Sequence, residues 1–268
     1  MNQVQSHLPQ LISIARQAGK AIMQVYAGTI EVENKSDNSP LTQADLAAHR
    51  IIEAGLKQLT PDIPVLSEES ADIPYAIRSQ WQRYWLVDPL DGTREFIKRN
   101  GEFTVNIALI EGSKATVGVV YAPAMDLLYY ADESGAYKQQ DGHPAVAIKA
   151  RELNLEDITI AGSRSHSDAR LQKFVESIEK KLSPVKLIPM GSSLKICMVA
   201  EGAADLYPRL GPTSEWDTAA AQCVLEIAGG SLQDTQGKPL LYNRKESLLN
   251  PEFFAGGATT HDWGQYLQ

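Results

Sequence analysis

Cysteine is nearly absent: only Cys197 and Cys223 occur in 268 residues, far apart and each inside an apolar stretch of helical character. That scarcity argues against a disulfide framework and for two buried thiols in a reducing compartment. No apolar run reaches membrane-spanning length. The N-terminal residues also lack the pattern of a cleavable signal. A cytoplasmic protein with no stable membrane insertion is therefore expected. No basic run or stripe offsets the formal net charge of -8, which sets aside a binder of nucleic-acid backbones. Neither an internal repeat nor a low-complexity linker is visible. With 43% hydrophobic and 22% charged residues, the chain has the composition of a globular protein, long enough for one large domain or two moderate ones.

The residues that are present divide the chain by rhythm. Leu8, Leu11, Ile12, Ala15, Ala18, Ile22 and Val25 recur at helical spacing and predict an amphipathic helix over Leu8 to Tyr26. Turn formers fill Asn34 to Pro40, and Thr42 reads as the N-cap of a second helix ending near Leu59. "IPVLSEES" is a short strand running into Glu68 and Glu69. "FTVNIALI", "ATVGVVYA", "LLYYA" and "AVAIK" then form a meander with Gly-containing turns. From about residue 155, "ITIAGSRSH", "DARLQKFVESIEKKL", "VKLIPM", "SSLKICMVAEG", "ADLYPR" and "WDTAAAQCVLEIAGG" alternate strand and helix, as in an α/β half. Two halves are expected, 1–153 and 154–268, packed closely. The tail from Pro251 shows no readable periodicity, so it is either a flexible or a docked extension.

Acidic residues gather where elements stop. The apolar run Tyr84 to Val87 ends in Asp88 and Asp91, separated by Pro89 and Leu90 and followed by Gly92 and Thr93. Glu68 ends another strand, and Asp217 opens the last strong helix. Each has an ordinary reading as a loop acid, turn residue or cap, and Thr42-x-x-Asp45 is an approximate capping box. Carboxylates brought together without cations repel one another and raise each other's pKa. A divalent metal reverses that cost, and oxygen-only donors favour Mg²⁺ or Mn²⁺ over zinc. A helix starting at Gly92 and Thr93 offers N–H groups to a phosphate. Metals beside a phosphate seat suit metal-assisted phosphoester hydrolysis.

"WLVDPLDGTREF" together with "WDTAAAQCVLEIAGG" resembles the paired signatures of the inositol monophosphatase-like, lithium-sensitive phosphatase superfamily. "DNSPLTQAD" and "VLSEES" match its two upstream motifs in order. More narrowly, "QRYWLVDPLDGTREFIKRNGEFTVNIALI", "GSSLKICMVAEG" and "LYPRLGPTSEWDTAAA" are similar to bacterial 3'(2'),5'-bisphosphate nucleotidases of that superfamily. The similarity runs to about Asn250-Pro251, beyond which the tail departs from it.

The resemblance implies an α/β/α/β/α layered sandwich, with Mg²⁺ as cofactor, two or three ions per site, and Mn²⁺ as a substitute. Glu68, Asp88 and the Leu90 carbonyl would bind the first ion, and Asp88, Asp91 and Asp217 the second. Thr93, paired with Asp45, would orient and help deprotonate the attacking water, and the Gly92 and Thr93 N–H groups would hold phosphate oxygens. His166, Lys195 and Arg209 would contact adenine and the 5'-phosphate; surface charge is the plainer reading of Lys195 and Arg209. Lys35 either faces the anionic site or is a solvated loop lysine. The implied reaction removes the 3'-phosphate of adenosine 3',5'-bisphosphate, and by analogy also acts on 3'-phosphoadenosine 5'-phosphosulfate in sulfate assimilation. Peripheral contact with the cytoplasmic face of the inner membrane stays open. So do two rivals: an inositol or sugar monophosphatase with the same metal site, and a non-catalytic nucleotide-binding protein.

Overall fold

In the computed structural model, which describes residues 7–30, 32–34, 40–163 and 169–267, the chain forms two large sheets, one two-stranded sheet and seven α-helices among the described residues. A short antiparallel pair, β1 (Val32–Asn34) and β2 (Pro40–Thr42), precedes the main sheet. Seven strands then run in sequence order: β3 (Val65–Ser67), β4 (Arg83–Asp91), β5 (Thr104–Glu111), β6 (Lys114–Ala122), β7 (Leu127–Asp132), β8 (Gly135–Gln140) and β9 (Val146–Ala147). Only β3 and β4 are parallel; the rest is an antiparallel meander. The second sheet contains β10 (Ile158–Ser163), β11 (Val185–Met190), β12 (Leu206–Arg209), β13 (Ser231–Asp234) and β14 (Phe253–Gly256), in the order β11-β10-β12-β14-β13.

Alternation along β4 explains the layering. Trp85 and Val87 face the helices α1 (Leu8–Tyr26) and α2 (Gln43–Leu59), whose apolar stripes include Leu11, Ile14, Ala18, Ile22, Ile52 and Leu56. Tyr84 and Leu86 face the opposite way, because side chains in a strand alternate between faces. There they meet residues of α6 (Leu194–Ala200) and α7 (Glu215–Ile227), together with Phe253 and Ala255 of the second sheet. The far side of that second sheet is covered by α5 (Ala169–Lys181) and a 3-10 turn, Trp263–Tyr266. Two short helices, α3 (Tyr75–Arg78) and α4 (Thr93–Ile97), flank β4. The result is the α/β/α/β/α sandwich that the sequence resemblance implies, with helices α6 and α7 as its central layer.

Gly118 sets how closely α7 approaches the sheet. A Cβ at this position would lie 2.3 Å from the Ala220 carbonyl oxygen and 2.9 Å from Cys223 Cβ. Backbone cannot rotate out of the way as a side chain can. Gly118→Ala is therefore expected to cost about 1–3 kcal/mol as an overpacking defect, read as a fall in Tm of roughly 2–10 °C for a chain of this size. An unchanged melt would mean that α7 can shift freely against β6.

Sequence reasoning located both long N-terminal helices and most of the meander. It missed β8, β13 and β14. The tail proves to be docked, with Phe253 and Ala255 buried in β14 and Trp263 and Tyr266 buried beyond it. Cys197 and Cys223 are free thiols, both buried. Among the described residues no helix is long and apolar enough to cross a membrane.

Candidate metal centre

The end of β4 shows why its two aspartates stand three positions apart. Asp88 pairs with Asn106 and Asp91 pairs with Thr104, so two residues, Pro89 and Leu90, oppose the single Val105. This is a β-bulge, where a proline without an N–H is tolerated. The extra residue restores parity. Without it, residues 88 and 91 would point to opposite faces; with it, Asp88 and Asp91 both emerge toward the central layer. There Asp217, in the first turn of α7, completes a cluster whose carboxylate oxygens all lie within 4.8 Å of one another.

The cluster is costly to hold without a cation. Burial, and then the charges of Glu68, Asp91 and Asp217, push the Asp88 carboxyl well above its ordinary range. Burial and the neighbouring Asp91 do the same to Asp217, opposed by the Ser214 N–H. Glu68 stands at the start of a 3-10 turn, Glu68–Ser70, where β3 ends beside β4. All these donors are carboxylate oxygens, and the set contains no imidazole or thiolate. Such a donor set favours a hard divalent cation over zinc.

Backbone N–H groups anchor Asp88, Asp91 and Asp217. Asp217 is the third residue of α7 rather than its cap: Ser214 is the cap, and the Ser214 N–H donates to Asp217 Oδ2 at 2.8 Å. Asp88 Oδ1 accepts from the Leu90 N–H at 3.0 Å, tightening the bulge. Asp91 Oδ2 accepts from Ser192 Oγ at 2.5 Å and the Ser193 N–H at 2.6 Å. Asp45 divides its labour. Its Oδ2 accepts from the Thr42 N–H at 2.8 Å and the Thr42 hydroxyl at 2.7 Å, closing a capping box that contributes about 1 kcal/mol. Its Oδ1 lies 3.4 Å from Thr93 Oγ1, which is also 3.4 Å from the Leu90 carbonyl oxygen. So the cap reading and the pairing with Thr93 are both realised by one carboxylate.

Gly92 begins α4 in the left-handed region, at φ 87°. That angle favours glycine, and a Cβ would also lie 3.2 Å from the Glu102 carbonyl oxygen. The turn presents Gly92 and Asp91 to a cavity of about 120 Å³, whose walls also carry Lys195, Tyr207, Arg209 and Asp217.

Lys195 and Arg209 are therefore not scattered surface charges. Lys195 is 5% exposed; its ammonium donates to the Ser192 carbonyl at 2.6 Å and sits 5.2 Å from the centroid of the Tyr207 ring. Burial pushes its pKa down to about 8, with Asp91 opposing and Arg209 adding to the fall. Arg209 Nη2 donates to the Pro212 carbonyl at 2.8 Å, while its buried Nε has no hydrogen-bond partner among the described residues. An unpaired buried donor of this kind is costly to leave unmade, and Arg209 is one of the residues lining the cavity. His166 and Lys35 lie outside the described residues. Sequence reasoning missed Ser192, Ser193 and Tyr207. The run "GSS" before α6 was the available signal for the first two, since small polar residues at a turn into a helix offer N–H and O–H groups.

An acid cluster formed by the bulged end of β4 and the first turn of α7 opens onto a cavity that also carries Lys195 and Arg209, and the chain belongs to the inositol monophosphatase family, whose model matches residues 3–262. Within that family the similar proteins include several 3'(2'),5'-bisphosphate nucleotidases. The 3'(2'),5'-bisphosphate nucleotidase CysQ of Escherichia coli K12 is 54% identical over 249 residues, 92% of this chain and 98% of that protein. The protein of the same name from Haemophilus influenzae is 40% identical over 263 residues, 97% of this chain and 96% of that one. The crystal structure of CysQ from Bacteroides thetaiotaomicron superposes with a TM-score of 0.84 at 40% identity, covering 97% of this chain and all of that one.

Proposed function

We infer that this protein is a metal-dependent phosphomonoesterase that hydrolyses adenosine 3',5'-bisphosphate to AMP and phosphate. The observation carrying this reading is that two members of the acid cluster, Asp91 and Asp217, share one cavity with Lys195 and Arg209. The acids suit metal-assisted chemistry, and the two cations suit a second anionic group on the substrate. The similarity to CysQ nucleotidases over almost the whole chain points the same way.

In this proposal Glu68, Asp88 and the Leu90 carbonyl hold one Mg²⁺, and Asp88, Asp91 and Asp217 hold a second. When bound, the ions supply Lewis-acid activation of water and of the scissile phosphate. Thr93 orients the attacking water, and Asp45 accepts a proton through the Thr93 hydroxyl. The Gly92 and Thr93 N–H groups hold phosphate oxygens. Lys195 and Arg209 grip the 5'-phosphate, leaving the 3'-phosphate at the acids, and His166 contacts the adenine. The division of labour falls at residues 153 and 154: the N-terminal half supplies most metal ligands, and the C-terminal half supplies Asp217 and the nucleotide contacts. Turnover of 3'-phosphoadenosine 5'-phosphosulfate, and with it a place in sulfate assimilation, belongs to the same proposal.

A phosphate-release panel tests it. With Mg²⁺ present, adenosine 3',5'-bisphosphate is expected to be hydrolysed well ahead of inositol 1-phosphate and fructose 1,6-bisphosphate, and chelation should abolish release. Faster release from inositol 1-phosphate would overturn the nucleotidase reading, and release that survives chelation would overturn the metal reading. The depressed pKa of Lys195 adds a pH signature. Its ammonium is charged below about pH 8 and is lost as pH rises through that value. Since kcat/KM reports the free enzyme's groups, its value for the bisphosphate should fall through about pH 8 relative to that for 3'-AMP, which lacks the 5'-phosphate. Parallel profiles for the two substrates would contradict the assignment.

A further inference from the structure

Ser192 is one of a few non-glycine residues with positive φ, at 56°. Such a conformation in a non-glycine residue persists only where its surroundings hold it in place, and it points to a functional constraint. Here the surroundings are two. The Ser192 hydroxyl donates to Asp91 Oδ2, and the Ser192 carbonyl accepts the Lys195 ammonium at 2.6 Å. One residue thus touches both the acid cluster and a cation lining the same cavity.

We propose that Ser192 is a positioning residue, bent into the left-handed region so that its hydroxyl aims Asp91 while its carbonyl fixes Lys195. The inference rests on the metal-site reading above and deepens it. The proton count supports a directed chain. A carboxylate oxygen only accepts, so the Ser192 proton goes to Asp91. The Ser192 oxygen is then left to accept from Thr104 Oγ1, 2.6 Å away. Thr104 is buried on β5, directly across from Asp91 in the ladder; its hydroxyl also lies 3.0 Å from Asn106 Oδ1 and from Ser193 Oγ, so the 2.6 Å contact to Ser192 is the shortest of three. Ser192 Oγ and the Ser193 N–H thus both anchor Oδ2 of Asp91. Hydrogen bonds of this kind behind a ligand fix its orientation, and their loss commonly weakens metal affinity by about 10- to 100-fold.

Titration of the metal-free protein with Mn²⁺ alone, followed by calorimetry or by the electron paramagnetic resonance signal of free Mn²⁺, tests this without reference to turnover. Ser192→Ala should bind Mn²⁺ at the Asp91-dependent position about 10- to 100-fold more weakly than the unaltered protein. Ser192→Gly should bind equally weakly yet melt at a higher temperature than Ser192→Ala, because glycine adopts the left-handed angle without strain. Thr104→Val keeps Ser192 but removes the hydroxyl that contacts it, together with that hydroxyl's contacts to Asn106 and Ser193, so a smaller loss of affinity is expected; this variant decides the matter if both changes at 192 prevent folding. Unaltered Mn²⁺ affinity in Ser192→Ala, or in Thr104→Val where that is the folded variant, would overturn the role of Ser192. A Ser192→Gly protein that melts no higher than Ser192→Ala would overturn the strained-backbone part. An unaltered protein that binds no Mn²⁺ would overturn the metal-site reading itself, and this inference with it.

Discussion

Asp91→Asn is expected to lower phosphate release from adenosine 3',5'-bisphosphate at least ~100-fold, the usual scale for removing a main electrostatic stabiliser. The substitution keeps the shape of the side chain but removes one charge from a cluster whose members lie within 4.8 Å. It also changes what Ser192 and the Ser193 N–H can grip, since an amide offers one acceptor oxygen instead of two. The fold should survive, because Asp91 contributes little to packing at the partly exposed tip of β4. The metal-free variant should even melt at or above the temperature of the unaltered protein. Asp91 is one of the charges that push both Asp88 and Asp217 above the ordinary carboxyl range, so its neutralisation relieves repulsion when no cation is present. Phosphate release across a Mg²⁺ series, paired with a thermal melt of the chelated protein, reads both effects. Near-normal turnover at limiting Mg²⁺ would count against the site, and a markedly lower metal-free melt would count against the repulsion argument.

The same cluster shows what a sequence can and cannot carry. That an apolar strand ends in aspartates at a proline is visible in "WLVDPLDGT", because the change from apolar to acidic residues and the breaker are local. The bulge that brings both acids to one face is not visible. It depends on the pairing of Asp88 with Asn106 and of Asp91 with Thr104 across the β4–β5 ladder. Helices α1 and α2 were legible to within a residue, since an amphipathic stripe and a Thr42 cap are written in the helix itself. Strand β14 was not. "FFAG" carries no alternation because it is an inner strand buried between β12 and β13, and its partners lie far away in the chain. Lys195 illustrates the limit for side chains. Its place on the first turn of α6 was readable, but its burial against Tyr207 was not. That burial decides whether it is a solvated charge or part of a recognition site.

Lys195 and Arg209 therefore carry the sharpest test of substrate class. If they hold the 5'-phosphate, they touch a part of the substrate remote from the scissile ester, and a plain monoester cannot use that binding energy. Charge-assisted hydrogen bonds of this kind are worth about 1.5–3 kcal/mol. Loss of the Lys195 ammonium should thus lower kcat/KM for adenosine 3',5'-bisphosphate by roughly 10- to 150-fold, while 3'-AMP is barely affected. Because the Lys195 stem is buried, Lys195→Met is the cleaner variant: it fills most of the same volume, whereas Lys195→Ala also leaves a cavity. Arg209→Ala should act in the same direction and more severely, because a guanidinium can bind a phosphate through two parallel hydrogen bonds. Arg209 lines the cavity, and its buried Nε has no hydrogen-bond partner among the described residues. Steady-state kinetics of each variant on both substrates decides the question. Equal losses on the bisphosphate and on 3'-AMP would mean that these cations serve the acid cluster or the fold, through the contact of Lys195 with Ser192 and of Arg209 with Pro212. The cavity would then lose its claim to a second phosphate, and a sugar monophosphatase built on the same acids would become the better reading.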